Sequence, residues 1–433
     1  MKVAIYIVSK NAKQAYQNDC YEARIWPGIS VLKHQLINAG IEVRYCGVAD
    51  AHEQDVILVS VTSGCDWWPF VAERLRWKSG KYKVIAGGPG VLNIRPFLEF
   101  ADCFVFGRAE NLITDLIREK KYQHESVAWA DDFSTKRQYV INQSSSVFAE
   151  KVILENGKSW KEAVIGCRQK CLFCGYTWQR RNIGGEHSLS TGKGQNFWGS
   201  HKELTMLDLD IDAPETWERK GEQFRIIAID GFSERLRKKV NKPITREMIV
   251  KFFLGLGSLN PPHQIKIFNL VGLPTETDND WNEFTQDMTS ADSRFGKQKQ
   301  WPIILHNTPF RPMPCTPVSH WPMRYVNYRG EIAKRLKQPG MKGNIFFQGN
   351  RFWAVESMGT DSLSAVALDS IVIRGTEADA KNIKLLSCSS SFFRADSATR
   401  LVTLEKYFDL KTNFGAYQLG KTPTEYLKAW WKK

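Results

Sequence analysis

Apolar runs rich in β-branched residues alternate with stretches of helical periodicity through the first 120 residues of the chain. Runs of this kind predict strands over residues 3–8, 41–45, 56–61, 83–86 and 103–106. Helices are predicted between them over residues 27–39, 67–77, 95–100 and 110–119, with Pro27 near the start of the first helix and Gly40 at its end. Strands and helices that alternate in this way predict an α/β domain with a doubly wound parallel sheet.

The predicted strands end in small residues. Five strands with helices between them predict a flavodoxin-like or Rossmann-like layout, in which ligands bind beyond the carboxyl ends of the strands. Glycine at such an end lets a bulky ligand approach the backbone. The candidate binding residues at these ends are Ser60, Ser63, Gly87, Gly88 and Gly107.

The same alternation returns in the second half of the chain, after a polar stretch at 121–160 that predicts a linker with one or two short strands. Strands are predicted over residues 204–209, 224–229, 264–270 and 302–305, and helices over 245–256 and 279–288. Repeated strand–helix units predict a partial (β/α) barrel, whose chemistry gathers at the C-terminal strand ends. The predicted domains are therefore 1–120, the linker 121–160, the partial barrel 161–325, and a small α+β region 326–433 that closes the barrel and shapes the substrate site.

Composition narrows the class of protein. The 433 residues are 42% hydrophobic and 24% charged, which is typical of a soluble globular protein with more than one core. The sequence has no apolar run of about 18 residues that would span a bilayer, and its N-terminal apolar stretch lacks a signal-peptide cleavage site. Nine cysteines, an odd number, favour a reducing compartment over a disulfide framework, so we expect a cytoplasmic protein.

The net charge of +14 leaves two interpretations open. A basic protein can neutralise the phosphates of a nucleic acid, and the stretch after Cys174 combines arginines with aromatic residues. The Lys and Arg residues are nevertheless spread along the chain, as they are on a surface that is merely solubilising. The charge alone does not choose between them.

Residues 165–174 read IGCRQKCLFC and place Cys167, Cys171 and Cys174 in a C-x3-C-x2-C array. Cysteine thiolates hold iron–sulfur clusters, and a 4Fe-4S cubane usually takes four. A local triplet leaves one iron open to an exogenous ligand. A zinc site would need a second C-x2-C or a histidine pair nearby, whereas the next cysteine is Cys315. The array therefore predicts a reactive 4Fe-4S cluster rather than zinc or buried structural cysteines.

The cysteine spacing, with Phe173 before the last cysteine, resembles the radical S-adenosylmethionine (SAM) superfamily, whose pattern is C-x3-C-x-aromatic-C. Residues 229–242, 265–276 and 307–317 resemble later segments of the same family in the same order, Gly-Leu-Pro-Thr-Glu included. The resemblance implies that Phe173 lies near the adenine of SAM, that Ser233 bonds a ribose hydroxyl, that Arg237 pairs with the SAM carboxylate, and that Gly272 lets the adenine approach. For Ser233, a helix N-cap is the alternative.

Residues 86–90 and 106–110 resemble the N-terminal cobalamin-binding-type domain found ahead of many radical SAM cores. The resemblance implies that the small residues at the strand ends contact cobalamin. The D-x-H-x-x-G motif that ligates cobalt from below is absent after the first strand, and residues 50–55 imitate only its beginning. A domain that keeps this fold without a corrinoid therefore remains the alternative.

Together these resemblances imply an enzyme that cleaves SAM to a 5'-deoxyadenosyl radical and, with cobalamin, transfers a methyl group to an unactivated carbon. It would take electrons from a donor such as flavodoxin or ferredoxin. The alternatives are rearrangement, oxidation or sulfur insertion with a vestigial cobalamin domain, a nucleic-acid-modifying or nucleic-acid-binding protein, and a non-catalytic iron–sulfur or zinc scaffold. The substrate stays open between a small molecule, a peptide and a nucleic acid, and no catalytic acid or base is assigned.

Overall fold

The computed structural model describes part of the chain and divides it into two compact units. The first unit comprises Met1–Cys167, Gly175–Ser200 and Ala367–Phe414, and the second comprises Arg168–Cys174, His201–Val366 and Gly415–Lys433. The described residues are 1–8, 27–61, 66–142, 152–153, 159–161, 164–165, 169–174, 178, 183–184, 196–197, 204–206, 210–217, 226–258, 265–294, 303–310, 313, 316–318, 321, 355–356, 368, 371–372, 374–395, 397–408 and 410.

The described part of the first unit contains a six-stranded sheet in the order β2-β1-β3-β4-β5-β6. Its strands are β1 (Val3–Ile7), β2 (Val43–Tyr45), β3 (Val56–Ser60), β4 (Lys83–Gly87), β5 (Cys103–Val105) and β6 (Val127–Trp129). The first five are parallel, and β6 runs antiparallel to β5. The order 2-1-3-4-5 is that of flavodoxin-like sheets, so the predicted Rossmann-like architecture is confirmed. Strand β6 was expected in the linker but belongs to this sheet, because its three residues are buried against β5.

Where the structure describes the segments between these strands, they contain three helices, which are α1 (Pro27–Asn38), α2 (Trp67–Arg74) and α3 (Ile113–Arg118). Helix α1 ends at Gly40, which has φ +73 and donates to the Ile37 carbonyl, while the Ile41 N–H donates to Leu36. This is the Schellman pattern that the glycine predicts. The helix predicted over 95–100 is only a 3-10 turn, Arg95–Phe97, whose Phe97 ring stacks on Trp67 in the core.

Short strand pairs follow in the first unit. Strand β7 (Val152–Ile153) is antiparallel to β8 (Ser159–Lys161), which also pairs in parallel with β11 (Asn196–Phe197). Strand β9 (Val164–Ile165), which directly precedes the cysteine array, pairs antiparallel with β10 (Ile183–Gly184). The apolar residues directly before the cysteines therefore form a strand.

In the second unit, the described strands form a five-stranded parallel sheet in consecutive order. They are β12 (Leu204–Thr205), β13 (Ile226–Ala228), β14 (Ile265–Val271), β15 (Ile303–Pro309) and β16 (Val355–Glu356), with helices α4 (Glu234–Lys239), α5 (Arg246–Ser258) and α6 (Asp278–Arg294) between them. This confirms the predicted strand–helix repeats. Consecutive order is shared by a barrel segment and by an open sheet, so the partial barrel stays a prediction.

Helices α7 (Ala380–Ser387), α8 (Ser390–Arg394) and α9 (Ser397–Tyr407) pack within the first unit, and the closing of the barrel by residues 326–433 stays a prediction. The buried Trp68 ring joins this segment to the first unit. Its Nε1–H donates to the Leu368 carbonyl (3.3 Å), and it contacts the rings of Phe392 and Phe408. Asn93 donates to the carbonyls of Val372 and Gly375, each over 2.9 Å. None of the helices that the structure describes is long and apolar enough to cross a bilayer.

We expect iodoacetamide to label Cys388 in the native protein and to spare Cys46 and Cys103. Burial raises the pKa of both spared thiols from 9.0 to about 12, while Cys388 is exposed, and only the thiolate reacts. The two buried thiols support folding fully below pH 9.0, and this contribution is lost as the pH rises towards 12. Peptide mass mapping measures how far each cysteine is labelled. Labelling of Cys103 in the native protein as fast as that of Cys388 would contradict the expectation. In urea, the labelling rates of Cys46, Cys103 and Cys388 should become equal.

Candidate active site in the second unit

The last two cysteines of the array, Cys171 and Cys174, lie on a tight turn in the second unit. The Cys174 N–H donates to the Cys171 carbonyl (3.1 Å), and Cys171 is buried whereas Cys174 is half-buried. Cys167 lies outside the described residues. Two of the three predicted thiolate ligands are thus brought together on one turn. The described residues contain no group of three or more metal-ligating side chains, so the cluster stays a prediction.

Two hydrogen bonds fasten this cysteine turn, residues 169–174, to the end of α4. The Leu172 N–H donates to the Val240 carbonyl (2.9 Å), and Asn241 Nδ2 donates to the Lys170 carbonyl (2.8 Å). Leu172 and Phe173 also pack on an apolar cluster made of Leu236, Val240, Leu270, Leu273, Phe310 and Val318. Phe173, predicted beside the adenine of SAM, is half-buried on this cluster. The turn is therefore held against α4 and the carboxyl end of β14.

Asn241 acts through its backbone as well as its side chain. It has φ +56 and follows α4, where a residue in the left-handed region commonly ends a helix. Asparagine tolerates this region better than most residues. In the sequence, Asn241 and Lys242 are marked only as the end of the 229–242 segment that resembles the radical SAM family. The position of Asn241 after a short basic helix is the signal that would have indicated a helix cap.

Beside Asn241, Lys242 forms an ion pair with Asp230 at the end of β13. Lys242 Nζ lies 2.7 Å from Asp230 Oδ2, and the side chains are only 4% and 14% exposed. Along β13 and the residues after it, Ile227 and Ile229 are buried while Ala228 and Asp230 are partly exposed. Asp230 lies two residues beyond the end of β13, has a left-handed backbone with φ +55, and is left partly exposed.

Ser233 is the N-cap of α4. Its hydroxyl accepts from the Leu236 N–H (3.2 Å) and donates to the Asp280 carboxylate. Burial of Asp280 opposes its ionisation, but hydrogen bonds from Arg235, Ser233 and Thr277 outweigh this effect and lower its pKa. The helix-cap alternative is therefore present, and the only donor of the hydroxyl is engaged within the protein.

Ser233→Ala should lower the free energy of unfolding of the second unit by about 1–2 kcal/mol, because it removes both a helix cap and a bond to a buried carboxylate. Ser233→Thr keeps the hydroxyl and should restore most of that loss. Urea denaturation of the two variants tests this. Equal stability of wild type and Ser233→Ala would show that the cap contributes nothing.

Arg237 is fully buried, with 0% of its surface exposed. Its Nε donates to the Ile244 carbonyl (2.6 Å), and Nη1 donates to the carbonyls of Gly231 (2.9 Å) and Phe232 (3.0 Å). Burial lowers the pKa of this guanidinium to about 10. The side chain predicted to bind the SAM carboxylate is thus directed at the backbone of its own loops.

The Gly-Leu-Pro-Thr-Glu segment forms the turn after β14. Gly272 is buried with φ +75, and its N–H donates to Glu276 Oε2 (2.8 Å), while Trp281 Nε1 donates to Glu276 Oε1 (3.0 Å). Thr275 also has φ +75 and is held by Lys239 Nζ, 2.9 Å from its hydroxyl. The Glu276 carboxylate therefore accepts from the Gly272 N–H within the turn and from Trp281 of the following helix, and so connects the turn to that helix.

Residues with a left-handed backbone conformation cluster at the strand ends and loops of the candidate site. Within the described part of the chain, the non-glycine residues with positive φ are Asp230, Asn241 and Thr275, and each belongs to one of the loops described above. Backbone strain of this kind costs about 1–3 kcal/mol per residue and clusters at functional sites. The strand ends of β13 and β14, together with the cysteine turn, therefore form the candidate active site.

Sequence reasoning missed two buried amides that join the strands of this site. The Gly231 N–H donates to Asn269 Oδ1 (2.7 Å), and Asn269 Nδ2 donates to Asn307 Oδ1 (3.1 Å) on the neighbouring strand. Both asparagines are 1% exposed, and the next residue on β15, Thr308, is exposed. The amides therefore lie on the covered face of the sheet, where they fix the spacing of β13, β14 and β15.

The predicted cobalamin residues lie at the strand ends of the first unit, apart from Ser63, which is outside the described residues. A Cβ on Gly88 (φ +111) would lie 2.5 Å from the Val61 carbonyl oxygen, and one on Gly107 (φ +86) would overlap the Asn142 carbonyl. Packing of the chain on itself thus already accounts for these two glycines. Gly87 meets only an ordinary contact at 3.9 Å, and Ser60 is half-buried. Cobalamin at these residues stays a prediction.

No protein-family model and no curated protein matches the chain. Among solved structures, it resembles three of OxsB, a cobalamin-dependent S-adenosylmethionine radical enzyme. The apo, selenomethionine-labelled form has 14% identity and a TM-score of 0.27 over 70% of this chain and 43% of that chain. The form with aqua-cobalamin has 14% identity and a TM-score of 0.29 over 70% and 44%. The form with aqua-cobalamin and SAM has 12% identity and a TM-score of 0.29 over 100% and 60%.

The chain thus spans less than two thirds of the length of these OxsB chains. TM-scores of 0.27 to 0.29 lie below the range in which two chains share a fold. The description of the candidate site therefore rests on the residues of this chain and not on the OxsB structures.

Proposed function

We propose that the protein is a radical SAM enzyme in which Cys167, Cys171 and Cys174 hold a 4Fe-4S cluster. The observation that carries the proposal is the C-x3-C-x2-C array, of which the described part is a turn held at the end of a parallel strand. The donor set fits the cluster, because thiolates are its usual ligands and two of them lie on one turn. When bound, the cluster would supply the electron that cleaves SAM and starts radical chemistry on the substrate.

The residues of this chain hold and shelter the site. Val240 and Asn241 fix the cysteine turn through the two hydrogen bonds described above, and the apolar cluster beneath Leu172 and Phe173 keeps water from one side of it. Gly272 carries no side chain at the end of β14, where, as the family resemblance implies, the adenine of SAM would approach the backbone. The Ser233 hydroxyl is poorly suited to bind a ribose hydroxyl, because it already donates its hydrogen bond to Asp280.

The reaction we propose is methyl transfer to an unactivated carbon, with cobalamin in the first unit. The sheet order 2-1-3-4-5 supports this, since sheets of that order bind ligands where β1 and β3 diverge. The residues that follow these strands, 9–26 and 62–65, lie outside the described part of the chain. Without a corrinoid in the first unit, rearrangement, oxidation or sulfur insertion is the proposed outcome. An external one-electron donor such as flavodoxin or ferredoxin completes the system.

Anaerobic reconstitution with iron and sulfide, followed by reduction in the presence of SAM, tests the enzyme assignment. We expect 5'-deoxyadenosine and methionine in equal amounts. An intact, reduced cluster that yields neither product would overturn the proposal. Incubation with hydroxocobalamin and gel filtration tests the methyl-transfer part, since a protein that elutes without corrin absorption points to one of the other outcomes.

A further inference from the structure

The guanidinium of Arg237 joins two segments of the second unit. One is the loop after β13, whose Gly231 and Phe232 carbonyls accept from Nη1, and the other is the segment after α4, whose Ile244 carbonyl accepts from Nε. The loop packs directly on the side chain, because a Cβ on Gly231 would lie 3.2 Å from Arg237 Cγ. The three accepting carbonyls depend on this one side chain.

These two segments carry the polar groups of the candidate site. Asp230 precedes Gly231, Lys242 precedes Ile244 by two residues, and the two side chains form the ion pair of 2.7 Å. Asn241, which donates to the Lys170 carbonyl of the cysteine turn, lies between Arg237 and Ile244. A change in the spacing of the two segments would therefore move the ion pair and the support of the cysteine turn together.

Because of these bonds, the Arg237 guanidinium has no pair of parallel N–H groups left to bind a ligand carboxylate. A bidentate arginine–carboxylate pair uses parallel N–H groups, either of Nε and Nη2 or of Nη1 and Nη2. The single Nε–H and both Nη1–H groups donate to backbone carbonyls. In the described part of the chain, only the N–H groups of Nη2 have no hydrogen-bond acceptor. Glu283 and Asp287 supply negative charge to the guanidinium from within the protein.

We propose that Arg237 is a positioning residue, which fixes the Asp230 loop and the Asn241–Lys242 segment to each other, and that it does not bind the SAM carboxylate. The effect on catalysis rests on the proposed function, whereas the effect on the two segments does not. Lysine cannot replace arginine here, because an ammonium is a point charge and cannot serve three carbonyls on two sides. Glutamine keeps two donors and should preserve part of the arrangement.

Hydrogen–deuterium exchange of the cluster-free protein tests the positioning role. Arg237→Met and Arg237→Lys should each raise the exchange rates of peptides from 230–244 and 169–174 at least about tenfold, and Arg237→Gln should raise them less. Lys238→Met is the matched control, since Lys238 is the next residue on α4, is 67% exposed and should leave these rates unchanged. Wild-type exchange of the β1 and β3 peptides verifies that the variants are folded in the first unit.

In the reconstituted enzyme, Arg237→Gln should lower kcat for SAM cleavage about tenfold while KM for SAM changes less than about threefold. A variant with wild-type exchange and a KM raised about a hundredfold would assign Arg237 to the ligand and overturn the proposal. If the wild-type protein neither assembles a cluster nor cleaves SAM, the proposed function fails. The exchange rates still decide the role of Arg237 in that case.

Discussion

Replacing Cys171 or Cys174 with alanine should abolish SAM cleavage and lower the iron content of the reconstituted protein to an unspecific background. The reason is stoichiometric, since three local thiolates are the fewest that hold a cubane with one open iron. Cys174 is half-buried, so its removal should leave the fold intact, and the backbone hydrogen bonds of the turn do not depend on either thiol. Iron and sulfide analysis together with 5'-deoxyadenosine production measures the effect.

Cys388→Ala is the matched control for these variants. This cysteine is exposed on the chain segment after α7 and belongs to the first unit, so its removal should change neither iron content nor activity. Cys171→Ala that retains full iron content and activity would show that other groups bind the cluster. Loss of iron in the Cys388 variant would instead point to general damage of the fold during reconstitution.

Much of the fold could be predicted from the sequence because buried parallel strands read as continuous apolar runs. The strands predicted over 3–8, 56–61 and 83–86 agree with β1, β3 and β4 to within one or two residues. The place of β6 in the first sheet escaped prediction, because a strand of three residues does not reveal its antiparallel partner β5. The docking of α7 to α9 was also out of reach. It depends on contacts such as that of Trp68 with Leu368, which are 300 positions apart and carry no local signal.

The candidate site was predictable in its residue types but not in the direction of its side chains. A family pattern marked Ser233 and Arg237 as ligand-binding residues, yet the structure turns both towards the protein. Burial decides the difference, because a fully buried guanidinium must find acceptors and the nearest are backbone carbonyls. Asn269 and Asn307 gave no signal, since a polar residue within an apolar strand reveals its partner only when the register of the sheet is known.

The strained loops of the site have identifiable compensations. Thr275 is β-branched and left-handed, a combination that costs about 1–3 kcal/mol. Arg235 Nη2 donates to its carbonyl (2.9 Å) and Lys239 Nζ to its hydroxyl (2.9 Å), which together offset a cost of this size. Asn241 is compensated by its bond to the cysteine turn. The site thus keeps its unusual backbone because Thr275 is tied to α4, Asn241 to the cysteine turn and Asp230 to Lys242.

Lys242→Met should lower the free energy of unfolding of the second unit by about 3–5 kcal/mol, because it leaves the Asp230 carboxylate nearly buried without its partner. The ion pair is 2.7 Å long and its side chains are 4% and 14% exposed, so water screens it little. Calorimetric unfolding measures the loss. Lys251→Met removes an exposed pair with Asp212 (2.8 Å) and serves as the control that should unfold like wild type.

The double variant Asp230→Asn with Lys242→Met separates the charge from the packing. Removing both charges abolishes the penalty of the orphaned carboxylate, so the double variant should recover most of the stability that Lys242→Met loses. A double variant that is no more stable than Lys242→Met would show that the lysine acts through its aliphatic stem, whose methylenes pack in the site, rather than through its charge.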